Sequence, residues 1–255
     1  VQVNPSTTAI VGEPRRLTSL AGSDACSISA SRDGRRLAFL KQHRQPDVYV
    51  GELRADKTGL DDVHRLTLDE RTDEPSGWTR DSEAIYFAST RQGTMDVFKQ
   101  GVHDRTAATI VEGPDGEEDA KLSPDGSYLL YIVRPTANSA SDRIMRVRLN
   151  GGPPETVLEQ PQIFEFDCPK APGAACVVAE WRAGKIAFFE LDPLKGKGRL
   201  IGEVATPYAS WSVSPDASRI ALTEGDSSAP ELKMNLRIMT IANGVKTELR
   251  AAGLV

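Results

Sequence analysis

Leu122-Ser123-Pro124-Asp125-Gly126-Ser127-Tyr128-Leu129-Leu130-Tyr131 is the stretch that decides the fold. A Ser-Pro-Asp-Gly turn runs straight into an apolar, aromatic-rich segment. Pro sets φ at the first corner of such a turn, Asp hydrogen-bonds its own backbone, and Gly takes positive φ freely. The residues after Gly126 are strand formers, so the stretch reads as a β-hairpin. It also recurs. Asp33-Gly34, Asp81-Ser82, Asp125-Gly126 and Asp216-Ala217 occupy the same kind of turn. Three positions after the second turn residue stand Leu37, Ile85, Leu129 and Ile220, and five positions after it stand Phe39, Phe87, Tyr131 and Leu222. Four positions before it come Ala30, Trp78, Leu122 and Val213. Alternating apolar columns are the mark of a strand with one buried face. A degenerate copy lies at Pro172-Gly173, with Cys176 and Val178 in the two apolar columns. Turn positions 34, 82, 126, 173 and 217 are then 48, 44, 47 and 44 residues apart. A repeat of this length, all strand and turn, indicates propeller blades of four strands each.

The expected fold is therefore all-β: a β-propeller of four-stranded antiparallel blades with five blade motifs. The blades cover about residues 24–67, 74–111, 118–158, 163–204 and 209–250, within one propeller unit spanning 14–255. Pro14-Arg15-Arg16-Leu17-Thr18 resembles His64-Arg65-Leu66-Thr67, so residues 14–18 read as an orphan outer strand and residues 1–13 as a tail or linker. One more period of ~46 residues would put the next turn near position 263, beyond Val255. Either the five motifs are a segment of a ring of six or more blades, the favoured expectation because an open ring leaves two blade faces wet, or five blades close in some other way. Starting at Val1 rather than Met fits a processed or trimmed piece of a longer chain.

A net charge of −5 argues against a nucleic-acid phosphate backbone as partner. No apolar run approaches the roughly 18 residues of a membrane span. Cys168 and Cys176 flank one hairpin loop, a geometry in which a disulfide can close. The alternative is a pair of reduced thiols in a cytosolic protein. The bond would favour an extracytoplasmic, periplasmic setting over a cytoplasmic one. Cys26 falls on an inner strand as a small buried hydrophobe.

The repeat resembles the TolB-type, WD-repeat-like propeller motif. The matching residues are Ser123-Pro124-Asp125-Gly126 and Ser214-Pro215-Asp216, then Leu37-Ala38-Phe39, Asp47-Val48-Tyr49 with Asp96-Val97-Phe98, and Arg65-Leu66-Thr67. Together they cover about residues 14–250. Departures are Arg32 and Arg80 in place of Pro, Ser82 and Ala217 in place of Gly, and a fourth motif that has lost its Asp. The run Phe188 to Gly198 is similar to C-terminal propellers of bacterial membrane-anchored signalling proteins, where the propeller follows a receptor-type Ser/Thr kinase or a winged-helix regulator. The resemblance implies a sensor or interaction domain. Fold analogy alone does not assign function.

Motifs for nucleophilic catalysis, phosphate binding and paired-ligand metal sites are absent from the sequence. His43, His64 and His103 fall on loops or outer strands. No catalytic residue, cofactor or metal is expected. The acidic groups Glu117-Glu118-Asp119, Asp61-Asp62 and Asp69-Glu70 do not follow a calcium-loop pattern. Yet Glu118, Asp119, Glu74 and Asp24 each stand at or near the start of an innermost strand, so acids would ring one channel mouth. Solvated loop acids are the plainer alternative. Trp78 and Trp211 lie on innermost strands, either as packing between blades or as a ligand platform at the mouth. Lys195-Gly196-Lys197-Gly198-Arg199 reads as a mobile hairpin tip or as a docking point for an anionic partner. The expected function is non-catalytic binding of a protein, peptide or small ligand at the channel mouth. A scaffold subunit of an envelope complex is one alternative. A propeller lyase or hydrolase using inner-strand acids and a His is another.

Overall fold

The computed structural model describes residues 2–3, 10–11, 24–33, 35–42, 45–135, 141–205, 209–226 and 233–249. The expected outer strand at 14–18 and the side chains of Cys26 and His43 lie outside them. The chain divides into two compact units, residues 1–45 and 46–255. The first contains a short ladder of β1 (Gln2–Val3) with β2 (Ile10–Val11), and a second of β3 (Asp24–Ala30) with β4 (Leu37–Gln42).

The second unit begins with the antiparallel pair β5 (Tyr49–Leu53) and β6 (Leu60–Arg65). Four four-stranded antiparallel sheets follow, each a meander in chain order. The first holds β7 (Asp73–Trp78), β8 (Ala84–Ser89), β9 (Asp96–Gly101) and β10 (Ala108–Val111). The next holds β11 (Gly116–Leu122), β12 (Tyr128–Arg134), β13 (Asp142–Arg148) and β14 (Glu155–Gln160). Then come β15 (Ile163–Asp167), β16 (Cys176–Arg182), β17 (Lys185–Asp192) and β18 (Gly196–Val204). The last has β19 (Ala209–Val213), β20 (Arg219–Asp226), β21 (Lys233–Thr240) and β22 (Lys246–Leu249). These sheets are propeller blades, called here blades two to five after their sequence motifs. The described residues contain no helix. The first motif's strands form two separate two-stranded ladders, β3–β4 in one unit and β5–β6 in the other.

In the four motifs that keep the Asp, the opening turn closes the same way. The hydroxyl of Ser31, Thr79, Ser123 or Ser214 donates to Oδ1 of Asp33, Asp81, Asp125 or Asp216 at 2.5–2.6 Å. The same Oδ1 accepts the backbone N–H two residues on, and the hydroxyl accepts the N–H that starts the second strand. Four bonded turns of one geometry explain why the repeat is so legible. The hydroxyl bond, then the backbone bond, hold all four carboxyls below the usual range, Asp216 at about 2.

Second strands are where the sequence reading needs correction. Alternating apolar columns suggest one buried face, but β8, β12 and most of β16 are buried on both. In β12, Tyr128, Leu130 and Ile132 face blade four, while Leu129, Tyr131 and Val133 face blade two. In β16, Cys176 and Val178 join the blade-three seam, and Val177 and Ala179 join the blade-five seam. A blade sandwiched between two others has no solvent face to leave polar. The core is thus a series of seams.

Turn position two has φ of 73° at Gly126, but 63° at Ser82 and 60° at Ala217. A Cβ there is strained. Ser82→Gly and Ala217→Gly are each expected to stabilise the fold by about 0.5–1 kcal/mol, the left-handed penalty less the chain entropy that Gly adds. Denaturant midpoints test this. A fall in both would mean that the turns store no such strain.

Candidate functional site

The first strands of blades two, three and four lie side by side. β11 packs against both β7 and β15, and the side chains they present there line two adjoining cavities. The larger, about 330 Å³, lies at the C-terminal ends of the three strands. Trp78, Arg80, Lys121, Leu122, Pro124 and Lys170 are among its lining residues. The smaller, about 240 Å³, lies toward their N-terminal ends and is lined by Glu74, Glu118, Asp119, Arg134, Phe164 and Glu165. Ser76 lines both.

Each of the three strands has a register shift where it borders the cavities: between Pro75 and Gly77, Glu118 and Lys121, and Ile163 and Glu165. Bulges re-aim side chains at such places. At Asp119 the shift comes with φ of 54°. Its carboxylate then pairs with Lys121, two residues on. Burial works against the Lys121 ammonium, but Asp119, with Asp167 and Glu165 behind it, outweighs that and raises its pKa.

Most of the charges are committed to the scaffold. Arg134 pairs with Glu118 at 2.6 Å and Asp142 at 3.2 Å, and donates to the carbonyls of Ile163 and Phe164. It stitches blade three to blade four. Asp167 accepts from the Cys168 N–H, the Ser212 hydroxyl and the Val213 N–H, all within 2.9 Å. It stitches blade four to blade five. Glu74 and Glu165 differ. Neither makes a hydrogen bond or ion pair among the described residues. Burial, then Asp119, pushes Glu165 up to about 7, against the opposing pull of Lys121 and Arg134.

The residues singled out from sequence separate accordingly. Glu74, Glu118 and Asp119 share the smaller cavity. Trp78, 43% exposed, walls the larger one. Trp211 is buried, edge-on to Phe188 at 5.2 Å between centroids, and belongs to the seam of blades four and five. Asp24 opens β3 in the first unit, and its side chain lies outside the described residues. Glu117 points away from its neighbour Glu118 into the seam of blades two and three. His64 and His103 are exposed, His64 bonded through Nδ1 to the Asp62 carbonyl. Among the described residues no three His, Cys, Asp or Glu converge as metal ligands. Lys197 is not at a hairpin tip: it lies in β18, bonded to Glu180 at 2.9 Å and to Gln160. Glu180 is buried and needs that cation.

Sequence reasoning passed over Glu165, Lys121 and Ser76. One signal for Glu165 was available: a lone carboxylate between Phe164 and Phe166 on a strand whose equivalents carry Glu74 and Glu118. Cys168 and Cys176 are joined by a disulfide with Cα atoms 4.2 Å apart. Cys168 and the two residues after it, Pro169 and Lys170, wall the larger cavity.

No protein-family model and no curated protein sequence matches this chain. Solved structures do. TolB from Acinetobacter baumannii aligns over 78% of this chain and 48% of its own, at 18% identity and TM-score 0.60. This chain therefore spans about half of that TolB. A nidogen/laminin complex chain aligns over 81% of this chain and 76% of its own, at 10% identity and TM-score 0.62. Puromycin hydrolase, an S511A mutant complexed with PGG, aligns over 83% of this chain and 36% of its own, at 15% identity and TM-score 0.56. The likeness is one of fold. It is a propeller likeness, TolB-type propellers included, and at these identities it says nothing of ligand or chemistry.

The loop between the bonded cysteines is short, so on the chain-entropy account the bond contributes roughly 2–3 kcal/mol. The Cys168→Ser/Cys176→Ser double variant is expected to lose that much in denaturant unfolding. An unchanged midpoint would show that the packing of blade four holds this edge of the cavity unaided.

Proposed function

We propose that this chain is a non-catalytic binding module that takes a basic polypeptide segment along the first strands of its blades. The observation that carries the reading is the pair Glu74 and Glu165: two carboxylates with no side-chain hydrogen bond or ion pair among the described residues, in a cavity adjoining the one that Trp78 walls. A Lys or Arg side chain entering the smaller cavity would supply the missing cation. Trp78, Leu122 and Pro124 would pack the adjoining part of the segment, since an exposed aromatic beside apolar walls suits an interface anchor. Arg80 and Lys170 in the larger cavity would favour an acidic group or chain terminus at that end. The fold shared with TolB and with a chain of a nidogen/laminin complex is consistent with a binding role. The disulfide favours an extracytoplasmic setting. Both fit the sensor or interaction domain of a larger bacterial signalling or envelope protein.

A panel of fluorescent ten-residue peptides of graded Lys and Arg content provides the test. Basic peptides are expected to bind, and Glu74→Gln or Glu165→Gln to weaken them by about three- to tenfold, the ~1 kcal/mol scale of one partly screened pair. Binding should strengthen as pH rises through about 7, because Glu165 must ionise to pair. Affinity indifferent to both substitutions, or greater for acidic peptides, would sink this reading.

A further inference from the structure

A different set of acids lies in the seam between blades two and three, away from the cavities. Glu117 pairs through its backbone with Val133, and strand alternation turns its side chain toward blade two. It is 5% exposed, and Asp96, which opens β9 in blade two, is 1% exposed. The connecting segment is held between them. Asp96 Oδ1 accepts the Gly113 N–H at 3.2 Å, and the Glu117 N–H donates to the Met95 carbonyl at 2.7 Å. The Glu117 carboxyl lies so close to Gly113 that a Cβ there would stand 2.4 Å from Oε1. Both carboxyls therefore converge on Gly113, close enough for a hydrogen bond between them when one carries a proton. Such a bond needs a proton, because ionised carboxylates only accept. The other Glu117 oxygen, Oε2, is buried without a hydrogen-bond partner among the described residues.

We propose that Glu117 is a proton-operated latch: protonated, it bonds Asp96 and holds blade two to blade three across Gly113; ionised, it repels Asp96 and Asp115 and loosens that seam. The charged and titratable groups facing it are Asp96 from β9, Asp115 from the segment before β11, Tyr131 from β12 and Arg143 from β13. Arg143 does not cancel the acids, because its Nη2 pairs with Asp115 at 3.1 Å. Burial, then Asp96 and Asp115, push Glu117 up to about 7, with Arg143 opposing. Burial and then Glu117 push the Tyr131 phenol up to about 12, so it stays neutral. The sign follows from linkage. A carboxyl whose folded pKa is raised binds its proton more tightly when folded, so its stabilisation is present at low pH and lost as pH rises through about 7. The latch uses no group from the proposed peptide site.

The direct test is the carboxyl ¹³C titration of Glu117 in the whole chain. A midpoint near 7 that drops in Asp96→Asn is expected. Denaturant midpoints at about pH 5.5 and about pH 8.5 give the consequence. The wild type should be less stable at the higher pH. Glu117→Gln, which keeps a donor for Asp96 and cannot ionise, should remove at least half of that drop. Glu165→Gln controls for the second raised carboxyl and should leave the Glu117 share in place. A Glu117 midpoint near its ordinary 4.5 would overturn the proposal. So would a wild-type pH slope in Glu117→Gln that disappears in Glu165→Gln.

Discussion

Leu129 and Leu130 are neighbours in sequence, both fully buried, and they face opposite ways into different seams. That arrangement states the constraint on which the molecule depends. A four-stranded blade has two apolar faces and cannot cover either of them itself, so each is stable only against a neighbour. The buried clusters accordingly run between sheets: Val48, Leu66 and Phe87 between the β5–β6 pair and blade two, then three further seams along the unit. At about 25 cal/mol per Å² of apolar surface removed from water, these seams dominate the favourable side of folding.

Polar groups caught in the seams have to be satisfied there, since an unpaired buried charge is expensive. This separates scaffold from site. Arg134 spends its donors on Glu118, Asp142 and two carbonyls of the next blade. Asp142 also accepts the Ile163 N–H at 3.0 Å, as Asp96 accepts that of Gly113. In blades two and three, the Asp that opens the third strand thus anchors the chain as it crosses to the next blade. Against such occupied groups, the carboxyls that no cation pairs with among the described residues stand out. Glu74 and Glu165 face the groove between first strands, where a ligand can reach them. Glu117 is sealed in a seam, where only a proton can answer it.

The propeller was legible because its turns are local. A hydroxyl, a carboxylate and two N–H groups within a few residues close four of the five, so the pattern survives Ser82 and Ala217 in place of Gly and needs no distant contact. Alternation likewise marked the strands. It misjudged how many of their faces are covered, because burial on the second face is a property of the neighbouring blade. The acids of the smaller cavity were partly legible, as Glu74, Glu118 and Asp119 fall on first strands, although β11 starts earlier than expected and places Glu118 and Asp119 at its bulge. Glu165 was missed because its environment is assembled from Asp119, Lys121 and Arg134 of another blade. Trp78 and Trp211, both on first strands, have different fates: the first ends β7 and borders a cavity, and the second lies mid-strand in β19 and meets Phe188.

By itself, then, the sequence determined the strands, the turns, their repeat and an all-β propeller, because each rests on bonds between residues close in the chain. Tertiary structure decided which acid is a strut, which a candidate contact and which a buried proton carrier. Glu117, Glu118 and Asp119 are consecutive, yet one lies between blades, one is bound to Arg134 and one is bound to Lys121. Alternation and a bulge point them apart, and only the neighbouring blades supply the partners, or the lack of them, that set the role of each.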